Sequence, residues 1–276
     1  MSVARIDKRF ADLKAQNKSA FIAYIMAGDP DLETTFEILK GLPAAGADII
    51  ELGFPFSDPM AEGPTIQRAA ERSLAAGTKL RDVFMLVKRF REIDQDTPII
   101  LMGYMNPVEF LGYERFAQTA SEAGADGLIV VDCPPEEADG LTDALDNHDI
   151  ALIRLATPTT DASRLQTLVK RTKGFIYYVS VAGVTGVKSV DADAIADQVA
   201  KVREAANLPV AVGFGIRTPE SAASVARIAD AAVVGSALVD EIKNSLLENN
   251  PSAPKVLAKA ADLAHAVHSA RLAVQV

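Results

Sequence analysis

The sequence predicts an α/β fold, a (β/α)8 TIM barrel with extra N-terminal and C-terminal helices. Eight short apolar runs, each rich in Ile, Val, Leu or Tyr, recur along the chain. Helix-like segments separate these runs, and such an alternation is typical of parallel strands joined by helical crossovers. The chain has 276 residues, and no linker or low-complexity tract divides it. We therefore expect residues 1–276 to form a single closed barrel domain.

The predicted elements alternate in order along the chain. The strands are residues 20–26, 48–53, 98–103, 127–131, 150–156, 175–180, 209–214 and 231–235. The helices between them are residues 32–44, 80–93, 113–123, 135–147, 162–171, 192–205 and 219–228. The Pro-containing stretch 249–254 precedes a last helix, 255–274, which we expect to pack on the barrel. Three strands are preceded by an alanine-rich helix end and an aspartate, a small repeat that could also arise by chance: Asp48, Asp126 and Asp230.

Composition narrows the class of protein. The chain has 28 Lys and Arg against 37 Asp and Glu, a net charge of -9, which argues against non-specific nucleic-acid binding. Cys133 is the only cysteine, so no intrachain disulfide can form, as expected in a reducing compartment. Residues 1–18 lack the apolar segment of a signal peptide, and no apolar run reaches membrane-spanning length. We therefore expect a cytoplasmic protein that binds neither nucleic acid nor membrane.

The most informative residue is Glu51, which interrupts the apolar run Ile49-Ile50-Glu51-Leu52-Gly53. Burying a carboxylate costs on the order of several kcal/mol unless it is paired or hydrogen-bonded. Active sites of such barrels lie at the C-terminal ends of the strands, and Glu51 lies near the end of the second strand. We favour a catalytic role. The alternative is a satisfied structural carboxylate that holds neighbouring loops together.

Other polar residues are candidates for the same face of the barrel. Strands one, three, four and six end at Asp29, Tyr104, Asp132, and Tyr177 or Tyr178. Asp132 could equally be the N-cap of a helix that starts after it at Pro134-Pro135. Glu62 lies in the loop after the second strand, where a solvated charge is the more common outcome.

Glycine-containing turns after strands six, seven and eight predict a phosphate site. They are Gly183-Val184-Thr185-Gly186, Gly213-Phe214-Gly215 and Gly235-Ser236, the last of which opens a helix. Loops after strands seven and eight often bind phosphate in barrels, because glycines let backbone N–H groups approach the anion. Ordinary glycine turns are the alternative. None of these turns has the spacing of a Walker loop or of a dinucleotide fingerprint.

The residue types that are missing narrow the chemistry further. No predicted strand carries a lysine near its C-terminal end, which a Schiff-base aldolase requires. The three histidines, His148, His265 and His268, lack neighbouring ligands in a metal-binding arrangement. General acid–base catalysis by carboxylates on a phosphorylated substrate remains.

Together these segments resemble the alpha subunit of tryptophan synthase. Residues Glu51-Leu52-Gly53-Phe54-Pro55-Phe56-Ser57-Asp58-Pro59 and Gly63-Pro64-Thr65-Ile66-Gln67 are close to the central signature of that family. Further matching segments, 24–30, 101–104, 182–186, 213–216 and 235–237, follow in the family's order and spacing. The resemblance covers nearly the whole chain and implies a TIM barrel, as the strand count does.

The resemblance implies a lyase of tryptophan biosynthesis that cleaves indole-3-glycerol phosphate to indole and glyceraldehyde 3-phosphate by a retro-aldol reaction. Glu51 matches the general acid–base that protonates indole C3 and handles the side-chain hydroxyl proton. Glu62 matches the loop carboxylate that holds the indole N–H, and Tyr177 matches a tyrosine that orders the site. We expect the substrate to contact Tyr24, Tyr104, Asp132 and Phe214. We expect its phosphate to contact Thr185, Gly186, Gly215, Gly235 and Ser236.

The chain departs from the family pattern at two positions. The loop carboxylate of the family is usually Asp, and the extra methylene of Glu62 changes its reach. Val181 stands where many members have Arg, and a valine cannot make the charged contact of that arginine in the loop after strand six.

The resemblance also implies a partner. Alpha subunits dock on a beta subunit that carries pyridoxal phosphate and takes indole onward, in an alpha2beta2 heterotetramer, so we expect no cofactor in this chain. The docking surface would be the C-terminal face of the barrel, including Pro55, Asn106 and Pro134. Two alternatives stay open, a non-catalytic barrel subunit that binds a phosphometabolite and a stand-alone indole-releasing lyase.

Overall fold

A computed structural model describes residues 3–179, 192–213 and 215–271 of the chain. Its strand segments are β1 Ala20–Met26, β2 Ile49–Gly53, β3 Ile99–Gly103, β4 Gly127–Val130, β5 Ala151–Leu152, β6 Arg154–Ala156, β7 Ile176–Val179, β8 Val210–Gly213 and β9 Ala231–Val234. Its helices are α1 Val3–Ala15, α2 Leu32–Gly41, α3 Pro64–Ala75, α4 Leu80–Arg91, α5 Met105–Leu111, α6 Tyr113–Ala123, α7 Asp139–Asn147, α8 Ala162–Val169, α9 Ala192–Ala206, α10 Pro219–Ile228, α11 Ser236–Leu247 and α12 Ser252–Ser269.

The strands form one sheet in the order β5-β4-β3-β2-β1-β9-β8-β7-β6, with every pair parallel. The predicted strand 150–156 is divided at Ile153 into β5 and β6. Because β5 pairs with β4 and β6 pairs with β7, the two edges of the sheet meet in one stretch of chain. The nine segments therefore occupy eight strand positions of a barrel, which confirms the predicted fold class.

Alternate residues of each strand divide the core into two layers, because successive side chains point to opposite faces of a sheet. Residues such as Ile50 and Leu52 pack outward against the helices, whereas Tyr24 and Met102 point into the barrel. Tyr24 of β1 and Glu51 of β2 are directly paired, so Glu51 points inward as well. The carboxylate predicted to be catalytic therefore faces the barrel interior.

The aspartate repeat links neighbouring strands at the N-terminal end of the barrel. In each case the backbone N–H of a residue at the start of the preceding strand donates to a carboxylate oxygen of the aspartate. The pairs are Phe21 with Asp48 (2.8 Å), Ile99 with Asp126 (2.8 Å) and Val210 with Asp230 (2.9 Å). Each of these aspartates also pairs with an arginine. The repeat is thus a structural device at the end of the barrel opposite the expected active site.

Two helices were absent from the prediction. α3 begins at Pro64, directly after the loop that carries Glu62, and Pro at the first helical position suits a helix start because its missing N–H has no intrahelical partner there. α5 begins at Met105, directly after β3. The predicted last helix is present as α12, and His268 in it contacts Asp48 at 2.7 Å. In the described part of the chain, no helix combines the length and apolarity needed to cross a bilayer.

Candidate active site

One cavity at the C-terminal ends of the strands contains the central candidates. It encloses about 510 Å³ of space free of protein atoms, its open mouth included. Seven predicted residues line it: Tyr24, Glu51, Glu62, Tyr177, Gly215, Gly235 and Ser236. Five residues that we did not predict complete the wall: Ile66, Met102, Ile216, Arg217 and Val233. The cavity therefore joins the carboxylates to two of the three glycine turns.

Glu51 is buried in this cavity without full hydrogen bonding. Its side chain is only 1% exposed, and its buried Oε1 has no hydrogen-bond partner in the described part of the chain. Burial, and secondarily the charge of Glu62, raises the pKa of Glu51 from 4.5 to about 8. A carboxylate kept for structure would have its oxygens satisfied. The described residues therefore leave one oxygen of Glu51 unpaired at the cavity.

Glu62 is buried as well, although its position in a loop favoured a solvated charge. It is 8% exposed, and burial raises its pKa from 4.5 to about 7. The loop is fixed on both sides of this residue. The backbone N–H of Ala61 donates to Tyr104 Oη (3.1 Å), and Gln67 Nε2 donates to the carbonyl of Glu62 (2.9 Å). The Glu62 carboxyl therefore shares the cavity with Glu51.

Two tyrosines flank the carboxyls, and both depend on a neighbouring glycine. A Cβ atom on Gly53 would lie 2.3 Å from Tyr24 Oη, and one on Gly213 would lie 2.0 Å from Tyr177 Oη. Any side chain at these strand ends would displace the tyrosine hydroxyls. Burial and the nearby carboxylates raise the pKa of Tyr24 and Tyr177 well above 10, so both hydroxyls keep their protons.

The opposite wall of the cavity has the features of an anion site. Gly235 is the N-cap residue of α11, so the N-terminus of this helix opens at the cavity. Gly215 has a positive φ of 78°, which a glycine adopts without strain. Arg217 is the only basic residue of the described wall, and its Nη1 pairs with Asp240 Oδ2 at 2.8 Å. Free N–H groups and the helix dipole at such a terminus favour phosphate.

Arg217 was missed in the sequence analysis. The available signal was a basic residue two positions after the glycine turn that had been assigned to phosphate. No local pattern distinguishes it from any other surface arginine, because its role depends on a cavity formed by distant strands.

Other predicted residues lie elsewhere. Asp132 does not line the cavity; its Oδ1 accepts the Met105 N–H (2.7 Å), so it caps α5 and not the turn at Pro135. Tyr104 does not line this cavity. It lines a small adjoining cavity, which Tyr24 and Glu62 also line. Asp29 forms two hydrogen bonds with Arg72 and has no contact with the cavity. Thr185, Gly186, Phe214 and Val181 lie outside the described residues.

Comparison with known proteins gives the family of this chain. The family model described as "Tryptophan synthase alpha chain" matches residues 10–268. The chain belongs to the tryptophan synthase alpha chain family. It is 66% identical over 272 residues to the tryptophan synthase alpha chain of Caulobacter vibrioides, with 99% of each chain covered. It is 64% identical over 271 residues to that of Phenylobacterium zucineum, with 98% of each covered.

Solved structures show the same barrel. The crystal structure of tryptophan synthase subunit alpha from Legionella pneumophila superposes with a TM-score of 0.90 at 44% identity, covering 95% of this chain and 98% of that chain. A structure of Mycobacterium tuberculosis tryptophan synthase superposes with a TM-score of 0.87 at 36% identity, covering 96% and 98%. As a member of the tryptophan synthase alpha chain family, the protein is a lyase of tryptophan biosynthesis.

Proposed function

We propose that Glu51 and Glu62 together carry out the lyase reaction of this family, the cleavage of indole-3-glycerol phosphate to indole and glyceraldehyde 3-phosphate. One observation carries the assignment. The two carboxyls share a cavity with the N-terminus of α11, so a substrate with its phosphate at that helix would place its indole beside them.

The reaction requires proton transfers but no change of oxidation state overall. Indole C3 gains a proton, and the indole N–H loses its proton to give the indolenine. The bond from C3 to the side chain then breaks, and its electrons pass through the ring to the nitrogen, which regains its proton to give indole. The side-chain hydroxyl loses its proton as the aldehyde forms. We assign the C3 and hydroxyl protons to Glu51 and the N–H to Glu62.

The pKa values support this division of roles. With a pKa of about 8, Glu51 retains its proton near neutral pH and can give it to C3. With a pKa of about 7, Glu62 is closer to ionised and can accept a hydrogen bond from the indole N–H. Tyr24 and Tyr177 remain protonated beside the two carboxyls and order the pocket, with Tyr177 hydroxyl packed over Gly213.

The phosphate contributes binding energy far from the reacting bond. Gly215, Gly235 and Ser236 supply backbone and hydroxyl donors, and Arg217 adds one positive charge at the same wall. Thr185, Gly186 and Phe214 are proposed to complete this cradle on the strength of the sequence pattern alone. Tyr104 is proposed to act indirectly, by fixing the loop that carries Glu62 through the Ala61 N–H.

We also propose a beta-subunit partner in an alpha2beta2 complex. Membership of the family supports the partner, and pyridoxal phosphate would belong to the beta subunit. Two apolar side chains are exposed at the C-terminal side of the barrel, Met60 at 79% and Phe110 at 93%. Exposed apolar side chains of this kind are suited to a protein interface. A cytoplasmic location is proposed for the same family reason.

The deciding experiment measures indole release from indole-3-glycerol phosphate by the purified full chain. Glu51→Gln keeps the shape of the side chain and removes the titrating proton, so kcat should fall by about 10²- to 10⁴-fold. Binding of glycerol phosphate should remain within about twofold of wild type, because the cradle is untouched. Glu71→Gln, an exposed position on α3 outside the cavity, is the matched control and should leave kcat unchanged.

Wild-type turnover by Glu51→Gln would disprove the proposed role. Glycerol phosphate binding without indole release, even with a beta subunit present, would instead identify a non-catalytic phosphometabolite-binding subunit. Equal activity with and without a beta subunit would identify a stand-alone lyase.

A further inference from the structure

A second cleft lies at the C-terminal side of the barrel, next to the gap between β4 and β6. It encloses about 1630 Å³ of space free of protein atoms, its open mouth included. Most of its wall is apolar: Val130, Val131, Leu152, Leu155, Leu168 and Val179. No residue lines both spaces, although Ala61 of the cleft is the neighbour of Glu62. The cleft is therefore a separate space that adjoins the catalytic cavity.

Arg154 is the unusual residue of this cleft. It belongs to β6 and is only 8% exposed, yet its buried Nε has no hydrogen-bond partner in the described part of the chain. The one side-chain hydrogen bond that Arg154 makes to the described residues, from Nη2 to Thr142 Oγ1, has a length of 3.5 Å, the upper limit for such a bond. Among the described residues no carboxylate lies within ion-pair distance of it. A buried guanidinium in this state is costly.

Arg91 shows what a buried structural arginine looks like in this same protein. Its side chain is 7% exposed, and its Nη2 pairs with Asp126 at 2.7 Å. Two further nitrogens donate to the carbonyls of Gly124 (2.9 Å) and Thr97 (2.7 Å). The two arginines have similar exposed fractions, but only Arg91 has a carboxylate at ion-pair distance and donates from all three side-chain nitrogens. The contacts within the protein therefore explain why Arg91 is buried, but they do not explain the burial of Arg154.

We propose that the cleft binds a small apolar carboxylate, whose anionic head pairs with Arg154 and whose body packs on the apolar wall. The planar guanidinium matches a carboxylate with two parallel hydrogen bonds. A single negative charge balances the single unpaired cation. A phosphate dianion would leave excess negative charge in an apolar space that already contains Asp132. Burial lowers the pKa of Arg154, and the charges of Asp139 and Glu136, which lie beyond ion-pair distance, oppose this shift.

Arg164 provides a matched control in the wall of the same cleft. Its side chain is 49% exposed, and its Nη1 already pairs with Glu136 at 3.1 Å. Removing Arg164 takes away the same charge from the same cleft but leaves the buried, unpaired guanidinium in place. A site that merely attracts anions through local positive charge would respond equally to the loss of either arginine.

The test is calorimetric titration of the full wild-type chain with benzoate, with benzamide as the uncharged isostere and inorganic phosphate as the competing anion. We expect benzoate to bind and to raise Tm, and benzamide not to bind. Arg154→Met should weaken benzoate binding at least about tenfold, and Arg154→Lys should weaken it less, because the ammonium keeps the charge and loses the planar fork. Arg164→Met should bind benzoate within about twofold of wild type.

Several results would overturn the proposal. They are absence of benzoate binding by the wild-type chain, equal binding by Arg154→Met, an equal loss in Arg164→Met, and inorganic phosphate binding as tightly as benzoate. If Arg154→Met does not fold, the comparison of Arg154→Lys with Arg164→Met decides the question in the same way. Because none of these readouts requires indole release, the result is independent of the proposed lyase mechanism.

Discussion

At the scale of single residues, the proposed active site contains carboxyl groups whose burial destabilises the folded protein. Glu51 is held in an apolar barrel with an unsatisfied oxygen, and its neighbour across the cavity is a second acid. Neither arrangement stabilises the fold, because burial and like charges both disfavour the ionised form. Both raise the pKa of a carboxyl toward neutral pH, where proton transfer is most effective. The proposed catalytic role therefore gives a physical reason for the unsatisfied carboxyl.

The raised pKa of Glu51 predicts how the stability of the folded protein depends on pH. The folded-state pKa of Glu51, about 8, lies above its value of 4.5 without such burial. Its contribution to stability is therefore fully present below about pH 4.5 and is lost as the pH rises towards about 8, because only the unfolded chain releases the proton in that window. Glu51→Gln lacks this titration, so its stability advantage over wild type should grow to the order of 4–5 kcal/mol by about pH 8.

The measurement is the free energy of unfolding by urea at several pH values for wild type, Glu51→Gln and the exposed control Glu71→Gln. Glu71→Gln should follow the wild-type curve throughout. Parallel curves for wild type and Glu51→Gln would show that Glu51 titrates normally in the folded protein, and would remove the electrostatic argument for its role as an acid.

Individual residues also show which parts of the site a sequence can reveal. Glu51 was predictable because a charge inside an apolar run is visible locally. Asp132, in contrast, follows a strand as an active-site residue would, but its carboxylate caps α5 from a neighbouring loop. Arg154 lies in a predicted strand, and only the folded structure shows that it has no counter-charge. Partners distant in sequence decide the last two cases, and no local pattern records them.

At the scale of elements, α3 and α11 connect the two ends of the catalytic cavity. Asp240 of α11 pairs with Arg217 at the phosphate wall (2.8 Å) and accepts the hydroxyl of Thr65 (3.2 Å). Thr65 lies in the first turn of α3, three residues after Glu62. One carboxylate therefore links the helix at the phosphate end to the helix that follows the catalytic loop.

We expect Asp240→Asn to affect both ends of the reaction. Arg217 would lose its partner and its fixed position, so KM should rise by about three- to tenfold, corresponding to roughly 1 kcal/mol for a partly exposed pair. The start of α3 would be held less firmly, so kcat should fall as well, by about two- to fivefold. Steady-state kinetics of indole release measures both values.

Glu241→Gln is the control, since it changes the adjacent carboxylate on α11, and no ion pair of Glu241 occurs among the described residues. Its KM and kcat should match those of wild type. If Asp240→Asn also matched wild type in both parameters, Asp240 would be a surface charge without influence on the site. A change in KM alone would limit its influence to the phosphate end.

The elements themselves were predicted unevenly, for physical reasons. Apolar runs and helical periods located all eight strand positions, because burial on both faces leaves a continuous pattern in the sequence. α3 was hidden because Gly63 and Pro64 are typical of turns, although they are also a suitable helix start. The division of β5 from β6 at Ile153 depends on which neighbour each half pairs with, and the apolar pattern continues through it.

At the scale of the whole molecule, the two ends of the barrel have different roles. The C-terminal end carries the two acids, the proposed phosphate site and the glycines that admit the tyrosine rings. The N-terminal end carries aspartates that accept a strand N–H and pair with an arginine, at Asp48, Asp126 and Asp230. Such a separation lets the catalytic end tolerate unsatisfied groups, because stability is supplied at the other end.

This division predicts that a change at the N-terminal end should alter stability and leave catalysis intact. Asp126 is fully buried, pairs with Arg91 (2.7 Å) and Arg5 (2.6 Å), and accepts the Ile99 N–H. Asp126→Asn would leave Arg91 buried without a counter-charge, and breaking a pair in this way costs about 3–5 kcal/mol.

Asp143→Asn removes an exposed partner of Arg171 and should cost less than about 1 kcal/mol. Urea unfolding measures both, and indole release below the melting range should give wild-type kcat and KM for both variants. A loss of kcat in folded Asp126→Asn would show that the two ends are coupled.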